Sequence, residues 1–385
     1  MAEKRSITPH DPTLAHPTRA EANGARPPRP PAHRLRTRGA AANPAIRFHA
    51  MHHEPVDDGW PAPPEGAAPL LRTEVAVEPV RSILTRNSSP DVPFDRSVNP
   101  YRGCEHGCIY CYARPSHAWL DLSPGLDFET RILARPEAAR LLRRALARKR
   151  YKVAPIALGT NTDPWQPVEG RLRITREVLE LLAACRHPVA IVTRGVLIER
   201  DIDLLREMAA LGLVHVGITV TTLEKALARR MEPRAPAPLR RIETIRRLAA
   251  AGIPVRVMVA PVIPGLTDSG IEAVLEAAAR AGARSAAWVM LRLPHEVAPL
   301  FADWLRRHYP ERAAKVLARI AQSRGGRLYD ARWHGRMRGE GPHAELVASR
   351  FALACRRFGL DRPLPPLRCD RFIPPEGDDR QLRLF

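Results

Sequence analysis

Apolar and polar positions in the middle of the chain follow a pattern that predicts strands and helices in turn. Between about residues 97 and 295, short β-rich apolar runs are separated by longer stretches of helical periodicity, several of them closed by a glycine. Runs that are apolar throughout are typical of a parallel sheet covered by helices. The predicted strands are 153–160, 189–195, 214–222, 254–262 and 285–293, and the predicted helices are 136–150, 174–186, 200–212, 237–252 and 268–282.

A further strand before Cys104 would complete six β/α units in series. Six such units suit either a doubly wound sheet or a partial barrel of the TIM type. Both folds place active-site residues at the carboxyl ends of the strands. We therefore expect an α/β fold with its core over residues 71–295, followed by a helical region over 296–368 that is predicted by three amphipathic stretches.

The two ends of the chain lack this periodicity. Residues 1–70 are basic and rich in proline, which predicts a largely disordered extension because such a segment buries too little apolar surface to offset its ordering entropy. Within it, Asn43–Phe48 and Asp57–Trp60 are expected to be short anchored segments, since Phe48 and Trp60 are large apolar side chains. Residues 369–385 are expected to form a flexible tail.

Composition favours a soluble protein with a polyanionic partner. The 61 Lys and Arg residues outnumber the 41 Asp and Glu residues, for a net charge of +20. The sequence contains no signal-peptide pattern and no run of about 18 apolar residues, so we expect a cytoplasmic protein without a membrane contact. In the cytoplasm, six cysteines indicate metal binding or catalysis rather than disulfides.

Three of these cysteines stand close together, at Cys104, Cys108 and Cys111 in NPYRGCEHGCIYCYARP. The C-x3-C-x2-C spacing and the interspersed glycines predict a loop that folds around a soft metal, which offsets the repulsion between thiolates. A structural zinc site would need a fourth ligand, for which His106 and His117 are candidates. An iron–sulfur cluster with three protein ligands would instead leave one iron open.

This motif, with Tyr110 immediately before the last cysteine, resembles the signature of the radical S-adenosylmethionine (SAM) superfamily. The wider segment 99–130 and GTNTDPWQPVE at 159–169 resemble an uncharacterised bacterial branch that is related to spore photoproduct lyase and often labelled DNA repair photolyase-like. The resemblance implies a partial (β/α)6 barrel with the three cysteines in the loop after the first strand.

The resemblance also implies cofactors and chemistry. Cys104, Cys108 and Cys111 would hold a 4Fe–4S cluster, and SAM would bind its fourth iron. An electron donor would reduce the cluster, and SAM would be cleaved to methionine and a 5′-deoxyadenosyl radical that abstracts hydrogen from a substrate. We expect a lyase-like enzyme acting in nucleic-acid repair or modification. The alternatives are modification of a protein or peptide, and a non-catalytic nucleic-acid-binding protein stabilised by a metal.

Five residues are candidates for binding SAM. Tyr110 could stack beside adenine, and Asn161 and Asp163 follow the second predicted strand, where superfamily members contact the SAM amino group. The planar fork of Arg194, after the third strand, suits the SAM carboxylate. Thr219, at the end of the fourth strand, could contact the ribose.

The chain departs from spore photoproduct lyase at one position. The hydrogen-donating cysteine of that enzyme corresponds to Thr160 here, so reversal of the spore photoproduct is not expected. Cys185 and Cys355 lie on helical patterns and are expected to be core thiols. Cys369 lies in an irregular segment, where it could be a hydrogen donor or have no role.

The last five residues, QLRLF, resemble the peptide with which bacterial replication and repair proteins dock on the β sliding clamp. Leu384 and Phe385 would fill an apolar pocket, with Gln381 at its rim and Leu382 beside it. We therefore expect recruitment to DNA through the clamp.

Overall fold

A computed structural model describes residues 38–48 and 71–376. The predicted disorder before residue 38, the anchored segment Asp57–Trp60 and the terminal residues Gln381, Leu382, Leu384 and Phe385 lie outside these residues. Within the described ranges, no helix has the length and apolar character that crossing a bilayer requires.

The larger sheet has seven strands and forms the partial barrel. Six neighbouring strands are parallel and follow one another in chain order, and one antiparallel strand lies at the edge. The six-unit prediction is thus confirmed, including the strand before Cys104. From one edge to the other the strands are β10 (Ser285–Met290), β9 (Val255–Val262), β8 (Val214–Thr219), β7 (Val189–Thr193), β6 (Ile156–Leu158), β3 (Arg96–Val98) and β2 (Leu84–Arg86).

Helices connect the parallel strands and cover the outside of the sheet. Their apolar residues pack with those of the strands in one core, because both strand faces and one face of each helix are apolar. The helices between residue 135 and β10 are α2 (Ala138–Leu146), α3 (Glu169–Leu172), α4 (Ile174–Ala184), α5 (Ile202–Ala210), α6 (Lys225–Met231), α7 (Pro238–Ala250) and α8 (Ile271–Arg280), with 3₁₀ turns at Val196–Asp201 and Asp268–Gly270.

A second, three-stranded sheet interrupts the first β/α unit, and the sequence pattern did not predict it. It consists of β1 (Glu74–Val77), β5 (Arg131–Ala134) and β4 (Tyr101–Arg102), with β5 in the middle. The segment between β4 and β5 contains the three clustered cysteines, the 3₁₀ helix Arg114–Leu120 and the short helix α1 (Asp127–Thr130). The small sheet therefore fixes both ends of the cysteine-bearing segment.

The C-terminal region is helical, as expected. It comprises α9 (Val297–His308), α10 (Pro310–Gln322), α11 (Gly335–Arg338) and α12 (Pro342–Phe358). Phe301 and Trp304 of α9 share an apolar cluster with Ile109 and Tyr110, so these helices support the cysteine loop. The chain then passes the amino ends of the strands, where Arg368 N donates to Gly212 O just before β8.

The N-terminal segment 38–48 packs on the molecule, in accord with the anchoring expected for Asn43–Phe48. Asn43 Nδ2 donates to Asp127 Oδ1 at 2.9 Å, and Arg47 Nη1 pairs with Glu296 at 2.8 Å. The contact begins earlier than the sequence suggested, because Arg38 is also buried and donates to Glu129 O at 2.9 Å.

Candidate metal centre

The three cysteines lie on a buried loop just after β4, at the carboxyl end of the barrel strands. Cys104 and Cys108 are buried and Cys111 is half-buried. The loop turns at Gly103 and Gly107, whose φ angles are +78° and +66°. A side chain at Gly107 would also come within 2.6 Å of Glu129 Oε2, so glycine is needed there for both conformation and space.

Backbone hydrogen bonds hold this loop to three parts of the fold. Cys104 N donates to Phe128 O at 2.9 Å, and Ile109 N donates to Met231 O at 3.0 Å. Glu105 N donates to Gln166 Oε1 at 2.8 Å. These bonds fix the backbone of the cysteine loop, as a pre-organised binding site requires.

A buried ion pair lies behind the loop. Arg114 and Glu129 are both fully buried and their side chains meet at 2.5 Å. Arg114 Nε also donates to Cys108 O at 2.9 Å, and the Glu129 carboxylate accepts from the amides of Gly39 and Ala40 at 2.9 and 2.8 Å. Sequence reasoning missed Glu129, since nothing in its local pattern indicates a partner some 90 residues away.

Burial raises the pKa of the Cys104 thiol well above its usual value, and the nearby Asp163 carboxylate adds to the effect. Burial also raises the pKa of the Cys108 thiol to about 12, although the Arg194 guanidinium acts in the opposite direction. Thiolates at such positions need nearby positive charge, which a bound metal group provides.

The two histidines considered as a fourth zinc ligand are engaged elsewhere. His106 Nδ1 lies 3.3 Å from Asp163 Oδ2, and His117 Nε2 lies 3.0 Å from Arg131 O. Over residues 38–48 and 71–376, no three His, Cys, Asp or Glu side chains converge as ligands of one metal ion. In an iron–sulfur cluster each thiolate binds a different iron, so the three separate thiols fit a cluster better than a single ion.

Arg194 connects the cysteine loop to the end of β7. Its Nη1 donates to Cys108 Sγ at 3.0 Å and to Tyr110 Oη at 2.6 Å, and its guanidinium carbon lies 5.6 Å from the centre of the Tyr110 ring. The structure thus brings two predicted SAM-binding residues together, directly beside a predicted cluster ligand.

Glu232 and Arg241 complete this buried group, and sequence reasoning missed both. Glu232 accepts from Arg194 Nη1 at 3.1 Å and from Thr221 Oγ1 at 2.8 Å, and it also contacts Tyr110 Oη and Arg241 Nη2. Burial alone would raise the pKa of Glu232, but Arg241 and Arg194 outweigh it and lower the pKa to about 2. The carboxylate is therefore held ionised between two guanidinium groups.

Asp163 joins the ends of two strands to the cysteine loop. Its Oδ1 accepts from Thr193 Oγ1 at 2.6 Å and from Trp165 N at 3.0 Å, and its Oδ2 accepts from Arg194 N at 2.9 Å. Burial raises its pKa, but His106 and these hydrogen bonds outweigh burial and lower it. These contacts hold the Asp163 side chain at the ends of β6 and β7, beside the cysteine loop.

The remaining candidates lie at the same end of the barrel. Asn161 is half-buried and its Nδ2 donates to Ser116 Oγ at 3.3 Å, whereas Thr219 is buried at the last position of β8. The Thr219 carbonyl accepts from Arg241 Nη1 at 3.2 Å. The hydroxyl of Thr160 lies 3.1 Å from Asn99 Nδ2.

The other three cysteines lie at the opposite end of the barrel. Cys185 ends α4 just before β7, and its carbonyl accepts from Ile373 N at 2.8 Å. Cys369 belongs to the segment that passes the amino ends of the strands. The carbonyl of Cys355 accepts from Leu360 N, and the carbonyl of Leu360 accepts from Ala286 N at the start of β10.

Comparison with known proteins accords with this geometry. The family model of the radical SAM superfamily matches residues 98–278, from the end of the first barrel strand into α8. The chain belongs to this superfamily, whose members use a 4Fe–4S cluster and SAM and depend on an electron donor. It is accordingly an enzyme of the radical SAM type.

The similarity extends well beyond the matched domain. An uncharacterised protein of Mycobacterium tuberculosis is 40% identical over 338 residues, which cover 82% of this chain and 94% of that protein. An uncharacterised protein of Methanocaldococcus jannaschii is 26% identical over 171 residues, which cover 44% of this chain and 61% of that protein.

Two solved structures share the fold at low sequence identity. Spore photoproduct lyase complexed with dinucleoside spore photoproduct aligns with a TM-score of 0.54 and 15% identity, covering 74% of this chain and 79% of that chain. A variant of the same enzyme with bound AdoMet and dinucleoside spore photoproduct aligns with a TM-score of 0.54 and 14% identity, at the same coverage.

Proposed function

We propose that Cys104, Cys108 and Cys111 bind a 4Fe–4S cluster and that SAM binds beside it, for hydrogen abstraction from a nucleic-acid substrate. When bound, the reduced cluster and SAM supply a 5′-deoxyadenosyl radical. The observation that carries the proposal is the arrangement of three thiols on one buried loop, with the Arg194 guanidinium donating to Cys108 Sγ at 3.0 Å.

The residues around the loop have defined tasks in this proposal. Arg114, Glu129 and the N-terminal segment exclude water from one side of the loop, since Arg114 and Glu129 are fully buried there. Asp163 holds the Arg194 backbone, and Glu232 orients the Arg194 side chain. All three hydrogen bonds from the Arg194 side chain use Nη1, which leaves the rest of the planar fork for the SAM carboxylate.

The proposed SAM contacts besides Arg194 are Tyr110, Asn161, Asp163 and Thr219. Tyr110 is fixed by Arg194 and Glu232, so its ring is rigid enough to position an adenine. Asn161 lies near the surface of the site, where a polar group of SAM could replace Ser116 as its partner. Thr219, at the end of β8, would contact the ribose of SAM.

A nucleic-acid substrate is supported by charge and by fold similarity. The net charge of +20 favours a polyanionic partner, and the structurally similar lyase was solved with a dinucleoside spore photoproduct. A lyase-type repair or modification reaction fits both observations. Thr160 lacks a transferable thiol hydrogen, so we propose that the lesion or base differs from the spore photoproduct.

Isotope transfer tests this function. The protein, reconstituted anaerobically with iron and sulfide, is incubated with SAM, reductant and a library of deuterated, damaged or unmodified oligonucleotides. We expect deuterium in 5′-deoxyadenosine with at least one nucleic acid. Transfer from a deuterated protein fraction, with none from any nucleic acid, would overturn the substrate proposal in favour of peptide modification.

We also propose recruitment through the terminal QLRLF, which lies outside the described residues. A fluorescent peptide of residues 375–385 is titrated with purified bacterial sliding clamp and followed by polarisation. We expect binding in the range of tens of micromolar, roughly that of a weak recruitment contact, and loss of binding when Leu384 and Phe385 are changed to Ala. Absence of binding in that range would contradict this part of the proposal.

A further inference from the structure

Four strongly exposed aromatic side chains lie on segments that side-chain contacts connect with one another. Within the described ranges, the Phe, Tyr and Trp residues with strongly exposed side chains are Phe48, Tyr112, Trp119 and Trp333, which we call the aromatic rim. Trp119 is 70% exposed, although an apolar ring of this size is normally covered. Exposed rings of this size indicate a binding surface.

Side-chain contacts and short sequence distances connect the rim from one side to the other. The rings of Trp119 and Phe48 are 4.3 Å apart, and Arg47 next to Phe48 pairs with Glu296. Glu296 lies four residues after Arg292, whose guanidinium is over the Tyr112 ring. Arg292 also reaches Met337 Sδ at 3.7 Å, next to the arginine that stacks on Trp333.

The rim shares its elements with the metal centre. Tyr112 directly follows Cys111, and Trp119 belongs to the 3₁₀ helix that begins at Arg114. Arg292 follows the carboxyl end of β10. A molecule lying along the rim would therefore pass the mouth of the barrel in which the proposed cluster and SAM bind.

Arginines hold three of the four rings in place. The guanidinium carbons of Arg47, Arg292 and Arg336 lie 4.6, 4.7 and 4.1 Å from the centres of the Phe48, Tyr112 and Trp333 rings. The fourth ring, Trp119, is held by its contact with Phe48. Each ring thus loses little further freedom when a ligand stacks on it.

Positive charge accompanies the rings. Arg292 makes no ion pair with a described carboxylate, and its Nε is buried without a hydrogen-bond partner. Burial and, to a smaller extent, the positive charge of Arg292 lower the pKa of the nearby Arg324 to about 10. Such concentrated positive charge favours an anionic ligand.

We propose that the aromatic rim binds a single-stranded or locally unpaired stretch of nucleic acid by stacking on its bases, while Arg292 contacts its phosphates. The inference deepens the proposed function, on which it rests, by specifying the strand state of the substrate. Exposed rings combined with arginines suit unpaired bases, whose faces are free, whereas a duplex offers only edges and backbone.

Fluorescence anisotropy with the full-length protein tests the rim. The probes are a labelled oligothymidine of about 15 nucleotides, an abasic strand of the same length and charge, and the corresponding duplex. We expect the oligothymidine to bind most tightly. Equal affinity for the abasic strand or the duplex would overturn the proposal, because charge alone would then account for binding.

Variants identify the rings that are responsible. Trp119→Ala and Trp333→Ala should each weaken oligothymidine binding roughly fivefold or more, while the salt dependence stays unchanged because no phosphate contact is lost. Trp119→Phe and Trp333→Phe should restore part of the affinity. Leu353→Ala, which removes an exposed apolar side chain from α12, is the matched control and should bind like the wild type.

These outcomes separate the rim from the proposed function. Wild-type affinity for oligothymidine in both Trp→Ala variants would show that the rim does not bind nucleic acid, even if deuterium transfer from nucleic acid is observed. Loss of oligothymidine affinity in those variants would support the rim as a binding surface even if transfer from nucleic acid is absent and the proposed reaction fails.

Discussion

The two ends of the barrel each hold three cysteines in very different surroundings. At the carboxyl end, Cys104, Cys108 and Cys111 share one loop, and Arg194 donates to one of their sulfur atoms. At the amino end, the other cysteines lie on two helices and an irregular segment, and among the described residues no donor reaches their sulfur atoms. These are Cys185, Cys355 and Cys369.

Burial alone does not distinguish the two groups. Burial raises the pKa of Cys108 to about 12 and, together with Asp361, that of Cys355 to about 11. The difference lies in the neighbours, because the carboxyl end provides glycine turns, converging backbone donors and guanidinium groups. The capacity of a thiol to bind a metal therefore depends on the polar groups arranged around it rather than on how deeply it is buried.

Exchanging one cysteine at each end gives the largest expected contrast. Cys108→Ala removes a proposed cluster ligand, so we expect iron and sulfide to fall to near background after anaerobic reconstitution. Cys369→Ala, the matched control, should bind as much iron and sulfide as the wild type. Equal iron loss in the two variants would abolish the distinction between the ends.

Breaking the buried ion pair behind the loop should strongly destabilise the carboxyl end. Arg114→Met removes the ion-pair partner of the fully buried Glu129, which should lower the free energy of unfolding by about 3–5 kcal/mol. Urea denaturation of the protein without added iron measures this change. The exposed pair of Arg246 and Glu243 is the control, and Arg246→Met should have no measurable effect. A similarly small effect of Arg114→Met would show that the pair does not support the loop.

The amino end should respond to pH through His187. Burial lowers the pKa of this histidine to about 4, and Tyr151 Oη and Pro188 O, each within 2.9 Å of a ring nitrogen, suit the neutral ring. A lowered folded-state pKa means that stability is fully present above the unfolded pKa of 6.5 and is lost as the pH falls toward 4. Over that window, the contribution is about 3 kcal/mol.

Denaturation of the wild type and His187→Phe between pH 8 and pH 4 measures this contribution. The variant should lose less stability than the wild type as the pH falls. Parallel curves for the two proteins would show that His187 does not titrate between these limits.

Replacement of Arg194 should have the smallest of these effects, and the quantity that changes is the affinity for SAM. Arg194→Lys keeps the positive charge but loses the planar fork, so we expect roughly tenfold weaker SAM binding by the reconstituted protein, with unchanged iron content. Equilibrium dialysis with labelled SAM measures the affinity. Unchanged affinity for SAM would show that Arg194 contacts Cys108 and Glu232 but does not bind SAM.

The sequence predicted the barrel because five of its six parallel strands lie in predominantly apolar runs between helical segments. It did not predict the three-stranded sheet, whose strands have only two to four residues and no strong pattern. The cysteines were identifiable from their spacing within eight residues. Glu129 and Glu232 were not, because a lone glutamate usually indicates a solvated surface. Their buried partners Arg114 and Arg194 carry no local pattern that would identify the pairs.

Reductive cleavage of SAM tests directly whether the three-cysteine loop holds a catalytic iron–sulfur cluster. Anaerobically reconstituted wild-type protein is mixed with SAM and dithionite, and 5′-deoxyadenosine is quantified beside Cys108→Ala and Cys369→Ala. We expect the wild type and Cys369→Ala to form 5′-deoxyadenosine, and Cys108→Ala to form none above background. A wild-type protein that binds zinc instead of iron and forms no 5′-deoxyadenosine would contradict this expectation.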